Sequence, residues 1–416
     1  MELGLYNHLA QFKPFFSDRR LQHTLFIGKP RTGKTTALQR LALDDMHNGK
    51  SVLFIGDDTI LDTIPQEKQA DVIYFDAANR DFPFAFNILA NVEPSRRSLF
   101  VNTFLDTVKG VWKFDASSTA TLDQYIRAGT AALLGAPDTS LLSFEFLLTD
   151  DGYRAGIMRA LKDKVMLDFW KKYDDLSESD KRRETSSTLN KIRALTFDPL
   201  LRNCFDQKRN ALTFKNKVVI VSLRESEIGR ENASFIGALI LSQLYMDAQQ
   251  GVATNVYIDG ADRFGTAILF KLLSSCPTLS VQLSLQYLDQ IDRRLQPALV
   301  GSVGTIVALR TSVRDAALLE PEFNLNNSHK HLFQLPPFIA YVAVDGVTTE
   351  LRMLPHAYPL TPRTRKKIIA RCQSQFTTPR EAVEARLDRF FGEGKDAARI
   401  AKVAKNRGDH VKVSRL

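Results

Sequence analysis

The chain has 416 residues, 44% of them hydrophobic, which is more than one compact domain needs and predicts two or three units with ample core. Its three cysteines, Cys204, Cys276 and Cys372, are odd in number and far apart, which excludes a disulfide framework or a Cys-x-x-Cys metal site and suits a reducing compartment. The formal net charge of +9 is concentrated at one end: Thr361–Leu416 holds fifteen Lys or Arg against six Asp or Glu, so the residues before it sum to about zero. A basic end of this kind contacts nucleic acid or acidic lipid, or simply keeps a protein in solution.

The first residues, Met-Glu-Leu-Gly-Leu-Tyr-Asn-His, lack the basic and apolar regions of a secretory signal, and no apolar run approaches the roughly 18–20 residues needed to span a bilayer. The expectation is a cytoplasmic protein, with any membrane contact made through partners. From about residue 20 to 95, apolar runs (Thr24–Ile27, Ser51–Ile55, Asp71–Phe75) alternate with helical stretches such as Thr36–Leu43, the βαβ pattern of a parallel sheet. From about 96 to 210 those runs vanish and helix-spaced apolar residues take over, as in Tyr153–Tyr173 and Asp180–Ala194, which predicts an all-helical insertion. Strands return at Val218–Ser222, Asn255–Ile258, Ser280–Leu285, Thr305–Leu309 and Ile339–Val344, with an apolar helix over Phe235–Asp247. The expected division is 1–95 and 211–355 for one nucleotide-binding domain, 96–210 for the insertion, and 356–416 for a basic helical tail.

One motif carries the chemistry. Gly28-Lys29-Pro30-Arg31-Thr32-Gly33-Lys34-Thr35 fits G-x-x-x-x-G-K-[ST], between an apolar strand and a helix that continues from Thr36. Glycines let the backbone turn its N–H groups toward phosphates, and the following helix points its positive end at them. Lys34 is then placed to reach the β- and γ-phosphates and the Thr35 hydroxyl to hold Mg²⁺. A Mg²⁺-bound triphosphate also needs a carboxylate at a neighbouring strand end. Asn255-Val256-Tyr257-Ile258-Asp259 supplies one in Asp259. The pattern predicts a binder of ATP and Mg²⁺.

Several stretches in order resemble the HerA/FtsK superfamily, and within it the TraG/TraD-like coupling ATPases of conjugation and type IV secretion. They are the phosphate loop; Val72–Asp76 followed by Phe82-Pro83-Phe84-Ala85-Phe86-Asn87-Ile88-Leu89; Asp259 with Asp262-Arg263-Phe264; Ser284-Leu285-Gln286-Tyr287-Leu288-Asp289-Gln290; Gly301–Ile306; and Thr378–Glu384. The resemblance implies a RecA-like α/β fold with a mostly parallel sheet, in a hexameric ring motor that draws DNA through a central pore and works beside membrane-bound secretion or relaxosome proteins. It also implies that Gln286 senses the γ-phosphate. Arg310, at a strand end, becomes the first choice for an arginine reaching the ATP of the next subunit, with Arg314 and Arg263 behind it.

Three features depart from that family. Gly260 stands where a catalytic Glu is usual, Gly56-Asp57-Asp58-Thr59 replaces an Asp-Pro-His-Gly-Asp segment, and the membrane-spanning N-terminus is not seen. Asp57, Asp58, Asp262 and Glu225 are the acids placed to stand in for the Glu, and an acid restored at 260 is expected to raise hydrolysis. The alternatives are a hydrolysis-poor structural or regulatory ring subunit, or a viral DNA-packaging ATPase, against which the long helical insertion argues.

Overall fold

The structure is a computed structural model and describes residues 2–8, 11–16, 23–112, 119–293, 295–324, 331–344, 346–354 and 362–389. Among the described residues eleven strands form one sheet: β1 (Glu2–His8), β2 (Gln11–Phe16), β3 (Thr24–Ile27), β4 (Val52–Ile55), β5 (Val72–Asp76), β6 (Val218–Ser222), β7 (Thr254–Ile258), β8 (Leu279–Leu285), β9 (Thr305–Ala308), β10 (Ile339–Val344) and β11 (Val347–Met353), in the order β2-β1-β11-β10-β9-β3-β8-β7-β4-β6-β5. The seven strands from β9 to β5 run parallel, and β10, β11, β1 and β2 continue the sheet antiparallel. Every residue of β3, β4, β6 and β8 is buried, as a parallel sheet covered on both faces requires. This explains why those strands read as unbroken apolar runs.

Three strands lie beyond the expected set: β1, β2 and β11. In β11, Val-Thr-Thr-Glu-Leu-Arg-Met alternates and only Leu351 and Met353 are buried, so it lacks an apolar run. The signal for it was the Asp345-Gly346 dipeptide after β10, a hairpin turn sequence; Gly346 takes φ +77.

The chain divides into two compact units. One comprises Met1–Ala78, Asp106–Trp112 and Leu212–Gln375 and holds the sheet. Its helix Arg230–Ala248 has no polar side, and most of its length is buried. Beneath the sheet, Asp45 is nearly inaccessible and accepts bonds from the Tyr257 hydroxyl (2.6 Å) and Asn255 Nδ2 (2.5 Å), which satisfies a carboxylate and a fully buried phenol together. Burial and the Asp45 carboxylate push the Tyr257 phenol well above its usual range.

The other unit comprises Asn79–Leu105, Lys113–Ala211 and Phe376–Leu416. Its described residues between Thr119 and Phe205 form six helices: Thr119–Gly135, Ser143–Thr149, Asp151–Ala160, Lys164–Asp174, Glu178–Thr196 and Pro199–Phe205. Four begin on a side-chain cap, with Asp150, Asp163, Ser177 and Asp198 accepting from N–H groups of the first turn. The Asp163 cap divides the expected Tyr153–Tyr173 helix in two. Trp170 and Tyr125 each pack edge to face on Tyr173, and Arg154, which is 1% exposed, lies over the Tyr173 ring and pairs with Asp174 at 2.6 Å and with Asp151.

This unit starts at Asn79 rather than near 96, and it takes in residues expected in the tail. Hydrogen bonds show why. Ala85 N–H donates to Phe376, Phe86 N–H to Cys204, Thr378 N–H to Pro83 and Arg380 N–H to Asp81. Asn87, 3% exposed, ties the segment down through Nδ2 bonds to the Thr139 and Gln207 carbonyls, both 2.7 Å. The Phe82–Leu89 resemblance therefore marks a structural junction. The basic stretch 390–416 lies outside the described residues.

Candidate nucleotide site

The loop 28–33 joins β3 to the helix Lys34–His47 and is fastened to both neighbouring strands. Gly28 N–H donates to the Leu285 carbonyl at the end of β8 (3.2 Å), and Lys29 N–H donates to the Arg310 carbonyl just past β9 (2.8 Å). Gly28 is demanded by space, because a Cβ there would stand 3.0 Å from Leu309 Cβ and 3.3 Å from the Arg310 carbonyl oxygen. Gly33 is demanded by its backbone, at φ +110. It caps the helix without any side chain bonding the first-turn N–H groups, and that turn holds no acid. Unsatisfied N–H groups at the positive end of a 14-residue helix suit an anion. Thr36 lies in that first turn.

Lys34 is buried, and its Nζ donates to the loop carbonyls of Gly28 (2.6 Å) and Lys29 (2.9 Å). Burial pulls its ammonium below the usual lysine range, and the nearby Asp259 carboxylate opposes the shift. The Thr35 hydroxyl donates to Asp259 Oδ2 at 2.6 Å, joining two residues 224 apart in sequence. Ser284 Oγ donates to the other oxygen, Oδ1, at 2.5 Å and accepts from Gly260 N–H at 2.9 Å. A hydroxyl and a carboxylate oxygen converging beside an anion site form a donor set that fits Mg²⁺, a hard cation commonly held by one or two protein oxygens plus phosphate. Among the described residues no cluster of three or more His, Cys, Asp or Glu forms a metal site of its own.

Gly260 is not merely a missing side chain. It sits at φ +74, and a Cβ there would meet the Arg263 guanidinium at 2.8–3.2 Å. Arg263 donates to the Gly260 carbonyl (3.1 Å) and to the Asp259 carbonyl, and pairs with Glu225 at 3.5 Å. An acid restored at 260 would sit in strained left-handed backbone, and the Arg263 guanidinium would have to move aside for it.

The four acids considered as substitutes differ in their partners. Asp262 is paired with Arg230 (3.3 Å). Asp58 accepts from Tyr74 (2.6 Å) and pairs with Arg365 (2.7 Å) and Arg224 (3.6 Å). Burial raises the Asp58 pKa, but those hydrogen bonds and positive charges outweigh it and hold the carboxyl below the usual range. Asp57 is exposed and bonds Thr59 N–H at 2.9 Å. Asp57, Asp58, Glu225 and Asp259 share one cleft with Gly56, Arg224 and Arg263.

Gln286 directly follows β8, its backbone N–H held by Gln290 Oε1 at 2.8 Å. Arg310 lies against its own phosphate loop, with a buried Nε that has no hydrogen-bond partner among the described residues. Arg314 is paired with Asp289 at 2.6 Å. Sequence reasoning missed Phe338, whose ring packs on Gly33. The proline pair before it, Pro336-Pro337, was the available signal.

Neither a protein-family model nor a curated protein sequence matches this chain. Solved structures do. The unbound bacterial conjugative coupling protein TrwB matches at TM-score 0.60 and 12% identity, covering 86% of this chain and 90% of that one. Plasmid coupling protein TrwB in complex with ADP and Mg²⁺ matches at 0.59 and 16%, covering 83% and 89%. VirB4 of Thermoanaerobacter pseudethanolicus matches at 0.61 and 11%, covering 86% and 97%. The chain has their RecA-like P-loop fold. At these identities the likeness establishes architecture, and it agrees with the parallel sheet read from the sequence.

Proposed function

We propose that this protein binds ATP with Mg²⁺ at the phosphate loop and uses it to drive a ring-shaped motor on DNA in a conjugation or type IV secretion system. The observation that carries the nucleotide reading is the 2.6 Å bond between Thr35 and Asp259 beside an uncapped helix N-terminus. In this account Lys34 leaves the Gly28 and Lys29 carbonyls to meet the β- and γ-phosphates. Thr35 and Asp259 would hold the metal, which would supply positive charge against that developing on the transferred phosphoryl group. Gln286 reads the γ-phosphate. Arg310 serves the site of a neighbouring copy, with Arg314 and Arg263 as second choices.

The titles of the similar structures, a conjugative coupling protein and a VirB4, support the secretion setting. DNA contact is taken to be phosphate-directed and sequence-independent, with the basic C-terminal stretch contributing. Membrane-bound secretion or relaxosome proteins are the expected partners, and the place of work is the cytoplasm or the inner face of the cytoplasmic membrane. No described helix is long and apolar enough to cross a membrane.

Arg263 over Gly260 favours a second reading, a subunit that binds ATP and hydrolyses it poorly. Steady-state ATP turnover with and without single-stranded or duplex DNA separates the two. DNA-stimulated turnover that Lys34→Ala abolishes supports the motor; binding without turnover supports the second reading.

A further inference from the structure

Phe338 combines three independent features. Its backbone lies at φ +63, in the left-handed region that a bulky residue adopts only under constraint. The constraint is visible: Met353 N–H donates to the Phe338 carbonyl at 2.8 Å, and Ile339 N–H closes a turn onto the Pro336 carbonyl at 3.3 Å. The residue is 52% exposed, although it is a large hydrophobic beside a well-packed sheet. Its ring also lies on the phosphate loop, where a Cβ on Gly33 would meet Phe338 Cδ1 at 3.2 Å. Holding a strained backbone so that an aromatic face stays half in water stabilises nothing by itself. A flat ligand on that face would supply the missing contact.

The topology says which part of a nucleotide reaches it. β3, which ends in the loop, is flanked by β8 on one side and β9 on the other. The β8 side carries Gln286 and, one strand further, Asp259, so that side faces the terminal phosphate and its metal. Phe338 enters from the opposite side. It immediately precedes β10, whose antiparallel register pairs Tyr341 with Ala308 and so brings the start of β10 to the edge where β9 ends. A triphosphate with its γ-phosphate toward β8 extends its sugar and base toward Phe338.

We propose that Phe338 is the platform on which the nucleobase stacks, a positioning residue for the ligand; this rests on the nucleotide reading above. An aromatic face has no donor–acceptor pattern, so the platform holds adenine and guanine alike, as sequence-tolerant stacking does elsewhere.

The test is calorimetric titration of wild-type, Phe338→Ala and Phe338→Trp protein with ATP, GTP and base-free inorganic tripolyphosphate, each with Mg²⁺. Phe338→Ala is expected to weaken ATP and GTP by roughly 5- to 150-fold, the range of single aromatic–base stacks. It is expected to leave tripolyphosphate unchanged, and Phe338→Trp to keep all three. Wild-type binding of ATP with equal binding by Phe338→Ala overturns this proposal alone, as does an equal loss of ATP and tripolyphosphate, which marks a distorted loop. Wild-type protein that binds neither ATP nor tripolyphosphate overturns the nucleotide reading and this proposal with it.

Discussion

The guanidinium of Arg263 lies over Gly260, bonding the carbonyls of Gly260 and Asp259, and occupies the space in which a side chain at 260 would begin. Gly260→Glu should lower stability by about 1–2 kcal/mol, the cost of forcing a non-glycine residue into the left-handed region, and should not raise ATP turnover. Adding Arg263→Ala should not recover that loss, because the left-handed backbone remains and the Arg263 bonds to the Gly260 and Asp259 carbonyls are gone. Thermal unfolding of the three proteins checks this; a stable, faster Gly260→Glu single variant would show that Arg263 moves aside.

Asp58 ties together Tyr74, Arg224 and Arg365 at the end of the sheet. Its folded carboxyl is held below the ordinary range, so the stability it contributes is present above the unfolded value, about 3.9, and is lost as pH falls through the folded one. Asp58→Asn should destabilise the protein at neutral pH, and the gap to wild type should narrow as pH drops below about 4. Denaturation midpoints across that range measure it. A gap that stays constant would mean the carboxylate charge has no part in the contact.

Removing residues 395–416 takes away Lys395, Arg399, Lys402, Lys405, Arg407, Lys412 and Arg415. DNA affinity of the full chain should fall steeply with salt because cationic side chains release counterions from phosphates. The truncated chain should bind more weakly, show a shallower salt slope and keep its ATP affinity. Unaltered affinity and slope would make that stretch a solvated end with no role on DNA.

Arg310 is held near the loop through its carbonyl, a bond that Arg310→Ala preserves. If its guanidinium completes the site of a neighbouring copy, mixing Arg310→Ala with Lys34→Ala protein should recover part of the ATPase activity that neither has alone, because some sites in mixed rings are whole. A mixture as inactive as its components, beside active wild type, would remove Arg310 from that role.

The phosphate loop and Asp259 were legible because their chemistry is written in local spacing: a glycine-rich turn between strand and helix, and an apolar run ending in Asp. That Ser284 also bonds Asp259 was not legible, since it depends on β7 and β8 lying side by side. Nor was the sorting of the four acids, which depends on partners as distant as Arg365. Arg263 is only three residues from Gly260, yet its place over that backbone follows from the left-handed turn, which sequence does not state. Phe338 reaches Gly33 only because β10 runs antiparallel beside β9.

The central claim is that Lys34, Thr35 and Asp259 form one Mg²⁺-dependent triphosphate site. Titrating ATP into wild-type, Lys34→Ala and Asp259→Ala protein, with Mg²⁺ and with the metal chelated, tests it most directly. The account predicts tight binding by wild type that weakens when Mg²⁺ is chelated, near-complete loss in Lys34→Ala, and residual binding in Asp259→Ala that no longer responds to the metal. Equal binding by all three proteins, or wild-type binding indifferent to Mg²⁺, would contradict it.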